Sequence, residues 1–384
     1  MFLYNQGEEK KCMEELIRAE ELYDRYPLHN VSQKYQTLKR ILTDYYRNNK
    51  QANKLLLSLT QYFRYCDSVK YNSIELCNEY VSTAIQLGNM WSNYSVATAA
   101  VRYFKAAKEG MDLLMDYGGE KDLRYLQTLY SLGTNYRGTD SNALSLDMLR
   151  QCLELNRRLY AEEDPSQCTF NELNIQNQMV RTYLSIPDSE RTSSWGKEAL
   201  ALQQDIVSRL STMDTNPALK RNLAYHHKQL GRIYLNLDRE TAAIRQFDSC
   251  VAIILPMYQQ GEREYTEYDL ANAYRTLAYT YYTMEDREAD SVKANLNRCL
   301  AVCEHAVSHK TVLEDYYIAA SMMLEMLSDP LEPQDEATLK KFRNLKATLG
   351  EELEANGGKT TKAKLNKSFY RKTVRSAKKG SSNH

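Results

Sequence analysis

One stretch constrains the fold of this chain more than any other, the residues from Tyr225 to Pro256. Apolar and small side chains recur there every three or four residues in two blocks, which predicts two short amphipathic helices. The polar turn Leu237-Asp238-Arg239-Glu240 separates them. In the first block Leu230 and Tyr234 lie four apart on one face with Gly231 beside them; in the second, Ala243, Phe247 and Cys250 form a stripe at helical spacing. The glycine carries the constraint, because a neighbouring helix approaches closely only where no side chain intervenes.

The same register returns along the chain. Leu132-Gly133-x-x-Tyr136, Met179-Val180-x-x-Tyr183, Leu230-Gly231-x-x-Tyr234 and Leu277-Ala278-x-x-Tyr281 stand 47, 51 and 47 residues apart. Each precedes a second stripe: Ser145/Leu149/Cys152, Ala199/Gln203/Ile206, Ala243/Phe247/Cys250 and Val292/Leu296/Cys299. Val180 replaces the small residue and Gln203 the large one, so the second pair departs furthest from the pattern. The arrangement resembles the tetratricopeptide repeat (TPR), in which a large, a small and a tyrosine position on helix A meet a small, an aromatic and a small position on helix B. The spacing exceeds the about 34 residues of a standard TPR, so longer helices or connections are expected. Asp164-Pro165-Ser166 and Asn216-Pro217-Ala218 each place a capping residue before a proline at a helix's first turn. Such a link after a long helix B, as in CLELNRRLYAEED, is similar to the extended repeats of kinesin light chains and their bacterial relatives. The resemblance spans Asp122 to His309 and implies a fold and a binding mode, not transport. The fold it implies is an all-α, TPR-like right-handed α-solenoid of about seven helical hairpins.

Flanking segments extend that expectation. An amphipathic helix is predicted from about Glu8 to Tyr26, stopped by Pro27, then a degenerate pair over 32–48 and 51–65. Two more helices follow over 69–87 and 91–115, with Ala100, Phe104 and Ala107 repeating the small-large-small stripe and with Gly88 and Gly118-Gly119 as helix ends. After Thr311 one helix runs to Leu327, Asp329-Pro330 and Pro333 break it, and a charged helix over 335–354 fits a terminal cap. The expected domains are therefore N-terminal helices and degenerate repeats over 1–120, four recognisable repeats over 121–310, capping helices over 311–356 and a basic disordered tail over 357–384.

Composition agrees with a helical array. Only 14 Gly and 7 Pro punctuate 384 residues, and many of the 30 tyrosines sit four residues from Leu or Ala, where a ring packs while its hydroxyl reaches water. Formal net charge is zero, but residues 359–384 hold nine basic and no acidic side chains, which leaves 41 basic against 50 acidic upstream. The longest apolar run, Cys250 to Met257, is interrupted by Pro256 and falls far short of a membrane span. The N-terminal MFLYNQGEEKK has no basic segment leading into a long apolar run, so no signal peptide is expected. Eight cysteines scattered through predicted helices suit buried thiols in a reducing compartment, and a cytoplasmic location is expected.

No catalytic constellation emerges. Cys299, Cys303, His305 and His309 form the densest group of ligand types, but at about 100° per residue the cysteines and histidines fall on different sides of one helix and cannot converge on a tetrahedral ion. His226 and His227 are adjacent and point apart. Gly-rich phosphate loop, GxSxG, HExxH and paired CxxC motifs are lacking, so neither enzyme activity nor a cofactor or metal is expected.

What remains is surface. In TPR arrays the helix A residues two before and two after the large signature residue face the inner groove and contact peptides. Carried onto this sequence, the resemblance implies a peptide-binding groove formed by Tyr130 and Thr134, Asn177 and Arg181, Lys228 and Arg232, and Arg275 and Tyr279. The basic members suit an acidic or carboxylate-bearing protein segment held by charge-assisted hydrogen bonds, in a non-catalytic protein-interaction scaffold. The pattern does not match the carboxylate clamp of chaperone-binding TPR proteins. A second expectation is a sensory or regulatory module, since such arrays also resemble the ligand-sensing halves of bacterial transcription regulators and sensor kinases. A third is nucleic-acid association through Lys359–His384, where Phe369 and Tyr370 interleave with basic residues. No reader motif accompanies that tail, so disorder without a dedicated ligand is the favoured expectation. Deleting residues 359–384 should accordingly leave salt-dependent retention on DNA and RNA unchanged; weakened retention would assign nucleic-acid binding to the tail.

Overall fold

Helix formation follows the 3.6-residue pattern throughout. The computed structural model describes residues 9–25, 32–213, 216–284, 288–307, 309–328 and 335–357, and all its longer elements are α-helices. Pro27, the Asp329-Pro330 and Pro333 break, and the basic tail lie outside the described residues. The chain divides after Arg191 into two compact units. Unit 1 holds α1 (Glu9–Arg25), α2 (Ser32–Asn48), α3 (Ala52–Val69), α4 (Ile74–Asn93), α5 (Ala97–Asp116), α6 (Leu123–Arg137), α7 (Asn142–Tyr160) and α8 (Pro165–Ser185). Unit 2 holds α9 (Trp195–Thr212), α10 (Pro217–Asn236), α11 (Glu240–Gln259), α12 (Arg263–Thr283), α13 (Ala289–Glu304), α14 (His309–Leu327) and α15 (Glu336–Ala355).

Within each unit successive helices pack against one another, and three pairs of A helices also meet: α6 with α8, α10 with α12, and α12 with α14. The contact that sets the hairpin is the one implied by the signature. A Cβ added to Gly231 on α10 would lie 2.7 Å from the Phe247 ring on α11, and one on Gly133 of α6 would lie 2.6 Å from Leu149 of α7. Phe247 and Leu149 are fully buried, each burial contributing roughly 1.5–3 kcal/mol. Ser145 of α7 adds a hydrogen bond to the Gly133 carbonyl at 2.6 Å, which only such close packing permits.

Gly88 differs from its expected place as a helix end. It lies inside α4, and a Cβ there would be 2.8 Å from the Phe104 ring of α5. Leu87-Gly88-x-x-Trp91 is thus a further helix A signature, 45 residues before Leu132, and Leu42-Thr43-x-x-Tyr46 stands 45 residues before that. The turns explain why sequence punctuation misplaced the boundary. Lys50, Ser95, Asp140 and Asp238 occupy the left-handed region with φ of 54–59°, one at each of four A-to-B turns. Immediately after them the N–H of Gln51, Val96, Ser141 and Arg239 donates back five residues, to Tyr46, Trp91, Tyr136 and Tyr234, at 2.9–3.0 Å. This is a Schellman closure with non-glycine residues in the left-handed position. Glycine takes that position after α5 and α11, at Gly118 and Gly261.

Both proline-bearing helix starts form as expected: Asp164 accepts from the Gln167 N–H and Asn216 from the Leu219 N–H, each at 2.9 Å. Pro256 lies inside α11 without ending it, on an exposed face where loss of one backbone N–H strands no buried group.

Gln203 shows how the most divergent B stripe is accommodated. It is fully buried on α9, and its Nε2 donates to the His226 carbonyl at 2.8 Å and meets the His226 Nδ1 at 2.9 Å on α10. The imidazole therefore accepts at Nδ1 and is neutral. Burial, with a smaller effect of His227, pushes its pKa down from 6.5 to about 4. Between those values the unfolded chain takes up a proton that the folded one refuses, so stability is complete above pH 6.5 and declines as pH falls toward 4. Urea midpoints should show His226 contributing about 2 kcal/mol of loss between pH 7 and pH 5, and His226→Gln should flatten that dependence.

Candidate functional site

The A helices carry the residues expected to bind, and their neighbours decide which remain available. In unit 1, Tyr130 and Thr134 lie on α6 and Asn177 and Arg181 on α8. Tyr130 lines a pocket of about 620 Å³. Thr134 is half-buried and its hydroxyl donates to the Ser131 carbonyl of its own helix at 3.0 Å. Asn177 is half-buried with its side-chain oxygen sequestered and unpartnered. Arg181 is exposed and makes no ion pair with the described residues.

In unit 2 the two residues preceding the signature are committed internally. Lys228 on α10 is only 4% exposed, and its Nζ lies 2.5 Å from Asp269 of α12 and 5.2 Å from the centre of the Tyr268 ring. Arg275 on α12 pairs through Nε with Asp315 of α14, a carboxylate 3% exposed that also accepts from Asn272 Nδ2 at 3.0 Å. Burial works against the Arg275 charge, but Asp315 more than offsets it, and the guanidinium pKa is held above its ordinary value. The two pairs are equivalent in the repeat: each joins one A helix to the next, and each spans about forty residues. That basic-to-acidic spacing was the available signal that these cations have partners. Tyr279 is half-buried against the core of unit 2.

Arg232, between these pairs in sequence, is different. It is exposed, and Nη1 donates to the neutral Gln229 oxygen at 3.2 Å. Desolvation, with a smaller push from Arg275, lowers its pKa, while Tyr225 and Tyr268 act in the opposite sense. It is thus an exposed cation with no carboxylate partner among the described residues.

The unit 1 pocket brings together residues that sequence reasoning passed over. Asn89 of α4, Gln127 and Thr128 of α6, and Asn171 and Asn174 of α8 line it with Tyr130. Gln127 and Asn174 each precede their signature's large residue by five positions, and this recurrence was legible in principle. Of the Cys299, Cys303, His305 and His309 group, from which no metal site is expected, Cys299 and Cys303 are buried in the unit 2 core, His305 is exposed, and the His309 side chain lies outside the described residues. Among the described residues no three Cys, His, Asp or Glu side chains are placed to hold a metal, and no helix is long and apolar enough to cross a membrane.

No protein-family model matches the chain, and no curated protein matches it. Among solved structures it is similar to the apo form of the quorum sensor NprR from B. thuringiensis, at 13% identity and TM-score 0.46 over 91% of this chain and 95% of that one. It is also similar to a putative kinesin light chain with nearly identical TPR-like repeats from Podosopora anserina, at 15% identity and TM-score 0.41 over 56% and 92%. A third is BtubC (BKLC) from P. vanneervenii, at 12% identity and TM-score 0.43 over 65% and 91%. Small helix A residues seated against large helix B residues, with A helix meeting A helix, decide the architecture. The fold is TPR-like. The identities are too low to transfer a ligand.

The TPR-like stack makes Lys228 a structural cation. Lys228→Ala should lower stability by about 2 kcal/mol or more, because it strands the Asp269 carboxylate, whereas Lys228→Met with Asp269→Leu should restore most of the loss in urea denaturation.

Proposed function

We propose that this chain is a non-catalytic protein-interaction scaffold whose helix A faces bind segments of other proteins, with an acidic or carboxylate-bearing segment taken at Arg232. One observation carries the proposal: Lys228 and Arg275 already have carboxylate partners, whereas Arg232 has only a neutral amide. An incoming carboxylate would supply the countercharge that Arg232 lacks, through the planar two-pronged geometry that arginine offers. Stacked helices hold that side chain's backbone in place before the partner arrives, so little ordering cost remains to be met on binding. In unit 1, exposed Arg181 offers a further guanidinium of the same kind.

The test uses Glu- and Asp-rich peptides and peptides with a free C-terminal carboxylate, each compared with its amide-capped or Gln/Asn counterpart. Arg232→Gln should weaken binding of the carboxylate forms at least tenfold, about 1.4 kcal/mol. Lys228→Met with Asp269→Leu should leave it unchanged. Equal affinity of wild type and Arg232→Gln for every acidic peptide would refute the assignment.

A further inference from the structure

We propose that the face of α2 and α3 covered by α1 is a docking surface for a single helix bearing a buried carboxylate, and that two copies of this chain exchange α1 across it. None of the residues on which the scaffold reading stands takes part.

A carboxylate holds α1 in place. Glu20 of α1 is 8% exposed, and its Oε1 accepts from the Lys39 Nζ of α2 at 2.6 Å and from the Ser58 hydroxyl of α3 at 2.5 Å. Its Oε2 accepts from the Tyr46 hydroxyl of α2 at 3.3 Å. Lys39 is fully buried; its Nζ also donates to Gln61 Oε1 of α3 at 3.3 Å and lies 5.3 Å from the centre of the Tyr35 ring. An ammonium, an alcohol and a phenol from two helices thus converge on one carboxylate supplied by a third. A helix seated here without that carboxylate would take from these buried donors the acceptor they share, which is costly.

Apolar burial adds little to the hold. Among the described side chains of α1, Met13 is buried, Leu16, Ile17 and Tyr23 are half-buried, and Leu22 is exposed. On α4, by contrast, Cys77, Tyr80, Val81, Ala84 and Leu87 are all buried. Elements with few buried apolar contacts open at a fraction of the free energy of global unfolding. α1 therefore opens before α4 does, and its departure uncovers a seat already arranged for a carboxylate.

That seat fits one pattern. Met13, Ile17, Glu20 and Tyr23 follow one another at spacings of four, three and three, which places them on one helix face with the carboxylate between apolar neighbours. The Tyr23 ring lies 5.4 Å from the ring of Tyr35, which itself meets Tyr62 and Tyr65 edge-on at 6.0 and 4.9 Å. Any occupant must therefore bring a carboxylate to Lys39 and an aromatic ring to Tyr35 from one helical turn. The α1 of a second copy meets both demands, because contacts made across an exchange are those made within one chain. Reciprocal exchange leaves neither seat empty, and its main cost is the lost freedom of two associating molecules.

The experiment uses the full chain and a fluorescent peptide of residues 9–25. The peptide should bind a Glu20→Gln chain, whose own α1 is held more weakly, about tenfold more tightly than it binds the wild-type chain. A peptide carrying Glu20→Gln should bind that same chain about tenfold more weakly than the wild-type peptide does. Adding Lys39→Met to the chain should erase the difference between the two peptides, an outcome that general loosening of the fold would not give. In the unaltered protein, amides of residues 9–25 should exchange about tenfold faster or more than those of residues 74–93. Light- and heavy-isotope wild-type chains mixed at high concentration should form mixed dimers by native mass spectrometry, and excess peptide should return them to monomers. The proposal is overturned if the peptide fails to bind the Glu20→Gln chain, if both peptides bind it equally, or if residues 9–25 exchange only together with 74–93. A chain that stays monomeric at every concentration, or mixed dimers that persist in excess peptide, would equally overturn the exchange of α1.

Discussion

Everything else in this protein depends on how closely one helix of each hairpin can approach the other. Where Gly88, Gly133 and Gly231 replace a side chain with nothing, Phe104, Leu149 and Phe247 fill the gap from the opposite helix. The large residue is buried completely and the backbone beside it becomes reachable, as the bond from Ser145 to the Gly133 carbonyl shows. Such a contact is short-ranged and steep: a methyl group placed at any of these glycines would overlap its neighbour. Repetition of one tight contact within each hairpin feeds the apolar core that, in unit 2, runs continuously from Ala224 to Leu353.

That order aligns the A helices, and their alignment governs the chemistry available to a ligand. In unit 2 the repeat brings a basic residue of one A helix onto an acidic residue of the next, at Lys228 with Asp269 and Arg275 with Asp315. These pairs fasten neighbouring repeats and remove two cations from contention for a partner, while Arg232 stays available. In unit 1 the corresponding helices contribute amides and hydroxyls around a neutral pocket. One architecture therefore carries interhelical ion pairs in one unit and an uncharged pocket in the other, because packing sets the helix positions and leaves the side chains between them free to vary.

Much of the fold was legible from residues alone. The turn at Leu237 to Glu240 and the capped, proline-bearing starts at Asp164 and Asn216 are where local rules place them, since each is decided within a few residues. Gly88 was not: as an isolated glycine near an expected boundary it matched the rule for helix ends, and only the Phe104 ring across the hairpin reveals its purpose. Trp91 in place of tyrosine concealed that repeat further. The candidate sites were harder still. Choosing −2 and +2 positions identified side chains near the A helix face, but Lys228 and Arg232 differ in availability because Asp269, some forty residues onward, reaches one and not the other.

By itself the sequence determined that the chain would be helical, that hairpins would recur at intervals of 47 to 51 residues, and that Gly133 and Gly231 would face Leu149 and Phe247. Those outcomes follow from periodicity and side-chain size, which act along one helix or between adjacent ones. Only the tertiary structure decided which cations were spent on neighbouring repeats, that Thr128 would be buried without a partner, and that Asn89, Gln127 and Asn174 would gather around one pocket. Each of those depends on side chains separated by some forty residues meeting in space. Local pattern carries no such distance, so packing had to supply it.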